Sequence, residues 1–489
     1  MKYSRIFFRS LCALAVAVSA TACDDDDLIV GGADTNGYLT PDGNVIYITD
    51  AKGNREFTNT EFVGNGSVDL FANSSKPVSG CSVTFSVDPT VLAAYNEENA
   101  TSYTQLPDAS FSLGNNGQAA FTDGSLKSAP MTISLKGNTA CDPNVTYAIP
   151  LRISVSNGQL SQTSIASRVV LVRDLTKRPG ADKYVDGKPA MKTMAVMEVN
   201  DRNPLSVLGY TLENSGKQLF DIVVLFSANI NYNAETGRIY VSRNENIQAL
   251  LDQREKYLKP LQNKGIKVVL GILGNHDASG ISTLTPATSK AFAQEVKNVC
   301  DAYELDGVFL DDEYTDYAAA EKFQGIFQAP TEEALNRMAH DIKKAQPERL
   351  VVGYKFSEFT RDYLGRRPQG VAVDGTQPGE FWDYMCNDYW DTTNPCDTYA
   401  GLRQNQAGTG SWNCSDWSQC IPANGNWAAR FSLSGMRQDG YGILMIFNFY
   451  NDPGHWLTHY INNDLRKVAT ELYDEPLVIA DDAYKPKDW

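Results

Sequence analysis

The chain has 489 residues, 42% hydrophobic and 10% aromatic, with 37 Gly and 21 Pro, which is enough apolar material for two sizeable cores. That composition excludes a disordered tail and a small disulfide-knotted peptide. Its 59 acidic against 43 basic residues leave a net charge of −16, which repels a phosphate backbone and makes a neutral substrate the easier fit.

At the start, Lys2, Arg5 and Arg9 precede an apolar stretch, Leu11 to Ala20, too short for a stable membrane span, and small residues follow. The pattern predicts a signal peptide over 1–22. Ala20-Thr21-Ala22 ahead of Cys23 resembles a bacterial lipoprotein box, although Leu is commoner at its first position. The acidic run Asp24 to Asp27 resembles the surface-export signal of Bacteroidetes lipoproteins. These resemblances imply a lipid anchor on Cys23, an acidic tether over 23–27 and an outer-membrane, cell-surface location; ordinary secretion after Ala22 is the alternative. No other segment reaches a spanning length.

Apart from Cys12 and Cys23, the cysteines are Cys81, Cys141, Cys300, Cys386, Cys396, Cys414 and Cys420, an odd set that cannot all pair internally. Cys81 with Cys141 could staple the first domain, and bridges would be useful in the loop-rich region from Cys386 to Cys420. Cys300 sits in a helical pattern and is expected to be a buried apolar thiol. With no CxxC pair, no zinc knuckle is expected, and no metal site or cofactor is supported.

From 28 to 175 short alternating runs, such as Val45 to Ile48, Cys81 to Phe85 and Leu151 to Val155, are separated by Gly, Asn, Asp and Pro. They predict an all-β, immunoglobulin-like sandwich. Its order, with Tyr103 to Pro107 before Phe111-Ser112-Leu113, resembles an N-terminal module common in such lipoproteins. It carries no catalytic constellation, so it is expected to act as a spacer or an accessory carbohydrate binder. A polar linker over 176–190, with Pro179 inside it, leads to a second domain over 191–489.

There the period changes. Met194 to Val199, Ile222 to Phe226, Ile266 to Leu273, Val308 to Leu310 and Leu350 to Tyr354 read as buried parallel strands, alternating with helices over Glu245 to Gln262, Ser289 to Tyr303 and Thr331 to Ala345. The alternation predicts an α/β fold, an irregular (β/α)8 TIM barrel. A doubly wound nucleotide-binding sheet is the rival, but no GxGxxG follows the first strand and no Walker-type loop is present. From Val371 to Tyr441 the pattern becomes irregular, which predicts one or two shortened or missing outer helices.

Reacting groups in such barrels lie at the C-terminal ends of strands. The fourth strand reads Leu305-Asp306-Gly307-Val308-Phe309-Leu310-Asp311-Asp312-Glu313-Tyr314. Strand alternation sends Phe309, Asp311 and Glu313 to one side, with the Cα atoms of the two acids about 6 to 7 Å apart. Burial and mutual repulsion then hold a proton on one acid near neutral pH, the division of labour a glycosidase needs. A solvated, helix-capping turn is the other use of Asp-Asp-Glu.

Asp306-Gly307 followed by Asp311-x-Glu313 resembles the DGxDxDxE signature of glycoside hydrolase family 18. Glu198 to Asp201 with Asn203-Pro204, Phe226 to Asn231, Leu258 to Gly274 with Asn275-His276, and Asp311 to Tyr314 resemble the endo-β-N-acetylglucosaminidases of the Endo F and Endo H type. The resemblance spans roughly 192 to 475. It implies retaining, substrate-assisted hydrolysis between the two core GlcNAc residues of Asn-linked glycans, in which the 2-acetamido oxygen attacks its own anomeric carbon. Glu313 matches the general acid and base, and Asp311 the group that orients the acetamido N–H. Asn387-Asp388-Tyr389 resembles the amide-x-Tyr pair of these enzymes, with both outer side chains expected to face inward onto the acetamido group.

Phe309 stands where the family has Asp, and the loss of that charge is expected to make Asp311 easier to ionise. Asn200, Asn229 and His276 at strand ends, with Tyr314 and Trp390, are candidate glycan contacts; Trp382, Trp412, Trp417 and Trp427 also crowd the later loops. His455 and His459 lie four apart, but Trp456 replaces the Glu a zinc protease needs, so a structural pair is expected. The partners implied are N-linked glycans on glycoproteins, with no nucleic acid, and the chain is expected to be monomeric. A non-catalytic glycan-binding lipoprotein on the same barrel and a chitinase-like hydrolase are the alternatives.

Overall fold

The computed structural model describes residues 45–55, 58–143, 145–156, 166–177, 181–320, 322–323, 325–389, 391–420 and 432–489. The signal peptide, Cys23, the acidic tether, Pro179, Trp390 and Trp427 lie outside the described residues.

The alternating runs of the N-terminal region form two sheets. One orders Ile46–Asp50, Asn65–Val78, Met131–Lys136 and Phe111–Leu113; the other orders Asn59–Phe62, Ser167–Asp174, Tyr147–Val155, Ser82–Val87 and Gln118–Ala120. Every second residue enters the space between them, so that Leu70, Phe85, Ile133, Ile149, Leu151 and Val170 share one core. Helix Pro89–Asn99 covers the outer face over Ala148, Val169 and Leu171. Asp88 caps it by accepting from the Thr90 N–H at 2.9 Å.

The second region is built on β1 (Lys192–Glu198), β2 (Ile222–Asn233), β3 (Lys267–Leu273), β4 (Gly307–Asp312), β5 (Leu350–Ser357), β6 (Tyr384–Asn387), β7 (Ala407–Gly408) and β8 (Ile443–Phe447). Neighbours from β1 to β7 pair in parallel in chain order, and β1 also pairs in parallel with β8. The Gly442 N–H donates to the Ala407 carbonyl at 2.9 Å, and Trp412–Asn413 pairs with β8. One strand face, here the enclosed face, gathers Met194, Val224, Val269, Phe309, Val352, Cys386 and Met445 into one cluster. The opposite face packs on helices, with Leu270, Val308 and Val351 meeting Phe292, Met338, Ile342 and Leu465.

Helices α1 (Glu245–Asp252), α2 (Pro286–Tyr303), α3 (Glu332–Ala345) and α4 (Thr458–Tyr473) cross between strands or follow the last one. The helix expected over Glu245 to Gln262 is three shorter pieces. It breaks at Gln253 and again at Leu258, just ahead of Pro260, which has no N–H to continue the ladder. After β1 there is a 3-10 turn at Pro204–Gly209, and between β5 and β6 only Pro378–Phe381 is α-helical, a short helix within the irregular stretch from Val371 to Tyr441.

The N-terminal sheets dock on the N-terminal ends of these strands. Arg173 pairs with Glu61 at 3.1 Å and with Asp306, just ahead of β4, at 3.2 Å. Lys267, the first residue of β3, pairs with Glu61, and the Tyr103 hydroxyl donates to Glu348 at 2.7 Å. A cavity of about 460 Å³ lies in this junction, away from the strands' C-terminal ends. The polar linker is docked too: Lys183 donates to the Gln218 and Leu219 carbonyls at 3.1 Å and pairs with Asp221 at 2.7 Å.

None of the cysteines from Cys81 to Cys420 is bridged. Cys81 and Cys141 are single thiols in the sandwich core, and Cys386 belongs to the enclosed core, where apolar burial takes the place a staple would fill. Cys300 is the buried thiol expected.

Candidate active site

Alternation along β4 decides the site. Val308 and Leu310 join the helix-covered core and Phe309 the enclosed one, so Asp311 continues the enclosed face and Asp312 turns away. Asp312 accepts from the Ser282 hydroxyl at 3.1 Å, Tyr317 at 3.2 Å and Ser357 at 2.5 Å, which fastens β4 to its neighbours. Asp311 is only 3% exposed, and its Oδ1 has no hydrogen-bond partner. Glu313, just beyond the strand, is half-buried.

Asp311 and Glu313 stand two residues apart at the end of β4, and each acts on the other's ionisation. Burial, then the charge of Glu313, with Asp312 and Glu358 adding repulsion, push Asp311 well above the ordinary carboxylate range. Glu313 is also raised, by burial and by Glu358 and Asp388, while Asp311 and the charge of Arg361 pull it down. Burial and repulsion thus favour keeping a proton at this pair. Phe309 is 2% exposed among Phe226 and Tyr354, so the enclosed face next to Asp311 is apolar and adds to its desolvation.

Tyr389 reaches the same space. Its ring lies 5.9 Å from Tyr354 and 5.7 Å from Phe447, and burial with the nearby Asp311 charge raises its pKa far above the ordinary phenol. Asn387 does not join it. Cys386 takes the enclosed face, so Asn387 falls on the other side, where its amide donates to the Asp391 carbonyl at 3.0 Å and the Thr393 carbonyl at 2.5 Å. One step of alternation separates the expected inward amide from the observed loop anchor. Asp388 turns inward instead and accepts from the Tyr354 hydroxyl and the Tyr389 N–H, each at 2.7 Å, with Arg367 paired to its other oxygen at 2.7 Å.

The weaker candidates scatter around the strand ends. Asn229 donates to the Gly274 carbonyl at 2.8 Å, and Asn200 accepts from Asn246 at 2.9 Å on the exposed side of α1. His276 and Tyr314 are exposed and stand 5.3 Å apart, ring to ring, tied by a 2.6 Å bond from the His276 N–H to the Tyr314 carbonyl. Gly274 permits this approach, since a Cβ there would lie 2.4 Å from the Glu313 carbonyl. Trp382 and Trp412 are core residues, whereas Trp417 is exposed. His455 and His459 each face their own neighbour, Tyr450 and Asn463, as a structural pair would. No group of three or more His, Cys, Asp or Glu among the described residues is arranged to hold a metal ion.

Glu358, Tyr354 and Asp388 were not singled out by sequence. Alternation through β5 from Val352 already places Tyr354 on the enclosed face, and Glu358 directly follows the strand's C-terminal end, where reacting groups are sought.

A family model for an N-terminal domain matches residues 41–160. Endo-β-N-acetylglucosaminidase F1 of Elizabethkingia meningoseptica is 43% identical over 302 residues, 62% of this chain and 84% of that protein. An endo-β-N-acetylglucosaminidase of Flavobacterium sp. (strain SK1022) is 31% identical over 262 residues, 53% of this chain and 76% of its own length. The crystal structure of Bacteroides thetaiotamicron EndoBT-3987 with Man5GlcNAc product aligns at a TM-score of 0.75 and 28% identity, covering 91% of this chain and 99% of that one. The same protein in complex with Man9GlcNAc2Asn substrate aligns at 0.70 and 26%, with the same coverage.

Proposed function

Since the chain belongs to the glycoside hydrolase family 18 endo-β-N-acetylglucosaminidases, we propose that Asp311 and Glu313 cleave the GlcNAc-β1,4-GlcNAc core linkage of Asn-linked glycans by a retaining, substrate-assisted route. The pair of carboxyls at the end of β4, Asp311 buried on the enclosed face with an unpartnered Oδ1 and Glu313 half-buried just beyond it, carries this reading. On binding, the substrate's acetamido N–H donates to Asp311, whose proton passes to Glu313. Glu313 gives it to the glycosidic oxygen as the C1–O bond breaks and the acetamido oxygen bonds to C1, forming an oxazolinium ion whose N–H stays hydrogen-bonded to the ionised Asp311. Water that loses its proton to Glu313 then attacks C1, the oxazolinium ring opens to the neutral acetamide, and Glu313 ends protonated for the next cycle. Tyr389 hydrogen-bonds the acetamido group from the far side, and Asp388, in place of Asn387, holds Tyr389.

We read the second region as an irregular (β/α)8 barrel over 191–489, supported by the pairing of β1 on both sides and the Gly442 to Ala407 bond. The N-terminal region, over 28–175, is read as an immunoglobulin-like sandwich. Anchoring through Cys23 at the outer-membrane surface, with a monomeric chain, completes the proposal; a Cys23→Ala variant found in the soluble fraction, with wild type in the membrane fraction, tests it.

The activity test is a glycoprotein bearing high-mannose N-glycans. Released glycan with one GlcNAc left on the Asn is the expected result. Tight binding without release favours the non-catalytic reading, and cleavage of chitotetraose alone favours a chitinase.

A further inference from the structure

Glu358 is a further carboxylate at the site, with no part in the steps above. It follows Ser357 at the end of β5, and its Oε2 accepts the Tyr314 N–H at 2.8 Å. Tyr314 is the residue after Glu313 and has a φ of 58°, in the left-handed region that a bulky side chain adopts only when its surroundings hold it there. The Tyr314 carbonyl is held from the other side by the His276 N–H at 2.6 Å, and the Glu313 carbonyl by the Gly274 N–H at 2.9 Å. The Glu358 bond therefore belongs to the clamp that fixes where the chain leaves β4 and where Glu313 points. Arg361 stands 3.9 Å from the other oxygen of Glu358, beyond a hydrogen bond, and is itself engaged by Asp362.

We propose that Glu358 is a positioning residue for the proposed hydrolysis, gripping the Tyr314 amide to aim Glu313 and setting a negative charge beside it. The groups facing Glu313 are Asp311 from β4, Glu358 and Arg361 from beyond β5, and Asp388 from beyond β6; Glu198 of β1 acts on the adjacent Tyr314. Arg361 is the only cation in that set. Glu358 and Asp388 make ionisation of Glu313 harder, whereas Asp311 and Arg361 make it easier, so removing the charge of Glu358 lowers the pH at which the general acid loses its proton.

The inference rests on Glu313 being the general acid, and its test separates the two. Glu358→Gln keeps an oxygen to accept from Tyr314 but loses the charge: kcat at the optimum stays within about threefold, and the alkaline limb of the kcat profile moves down by about half a pH unit. Glu358→Ala loses both: the same shift appears together with a fall in kcat of about tenfold or more, at little change in KM. An alkaline limb unmoved in Glu358→Gln overturns the charge role, and wild-type kcat in Glu358→Ala overturns the positioning role, provided Glu313→Gln is inactive in the same assay. An active Glu313→Gln overturns instead the assignment on which the inference depends. Glu358→Gln removes no hydrogen-bond acceptor, so it serves as the reading if Glu358→Ala unfolds.

Discussion

Buried carboxylates occur at both ends of the parallel strands, and the two ends treat them in opposite ways. At the N-terminal end Glu61, partly desolvated but with its side chain still 30% exposed, faces Lys267 and Arg173, whose charges hold it below its usual range. Asp306 beside it accepts from Arg173 at 3.2 Å, Gln262 at 2.8 Å and the Val268 N–H at 2.9 Å. At the C-terminal end Asp311 is as buried as Asp306, and the charges that bear most on it are Glu313, Asp312 and Glu358. Burial alone therefore makes neither end reactive. A carboxylate given cations is a fastening, and one given other carboxylates holds a proton it can surrender.

The sharpest way to break this contrast is to remove a member of the reactive pair. Glu313→Gln and Asp311→Asn are each expected to lower kcat about 10² to 10⁴-fold, the range of a positioned acid or base, in release of glycan from a glycoprotein. Wild-type rates in either variant would refute its role. At the other end, Arg173→Met leaves Asp306 and Glu61 short of a cation in a buried junction. It is expected to destabilise the folded chain by about 3 kcal/mol, seen as a lower thermal midpoint, while kcat at 25 °C stays within about twofold. A large loss of kcat without a loss of stability would show that the two ends are not separable.

The same contrast predicts a pH-dependent stability. Because the folded-state pKa of Asp311 is raised, the stability linked to its proton is present in full at about pH 4 and is lost as pH rises through the raised value. Asn carries no such penalty. Asp311→Asn is therefore expected to melt at the same temperature as wild type near pH 4 and above it at pH 8. Equal melting temperatures at pH 8 would mean that burial does not hold the proton.

These effects also mark how much of the site was legible in the sequence. Period-2 alternation assigned Phe309, Asp311 and Glu313 to one face, and apolar runs located β1 to β5, because both depend on residue order along a single strand. Asn387 was misplaced because β6 spans only Tyr384–Asn387, too short to fix its phase without knowing that Cys386 faces the enclosed core. The apolar surroundings of Phe309 were not legible, because Phe226 and Tyr354, which pack on it, are distant in sequence. The paired end was least legible: Arg173 to Asp306 and Tyr103 to Glu348 join residues far apart in the chain, and no local pattern marks them. Cysteine number suggested bridges, yet the cysteines from Cys81 to Cys420 are all free thiols.

The smallest effect probes how the reactive end is braced. The Tyr354 hydroxyl donates to Asp388 Oδ1 at 2.7 Å, the oxygen that also accepts the Tyr389 N–H, while Arg367 pairs with the other oxygen. Tyr354→Phe keeps the ring against Phe309 and removes one of these attachments, so Asp388 remains held by Arg367 and the Tyr389 amide. A hydrogen bond to a charged acceptor is worth about 1.5 kcal/mol or somewhat more, and part of that survives through the remaining partners. The expected loss in kcat is about threefold to tenfold, with KM unchanged, because Tyr389 is displaced from the reacting centre and no contact that binds glycan is lost. Asp388→Asn tests the route: if Tyr354 acts through Asp388, the double variant loses hardly more than Asp388→Asn alone, whereas additive losses would place the Tyr354 hydroxyl on the substrate itself.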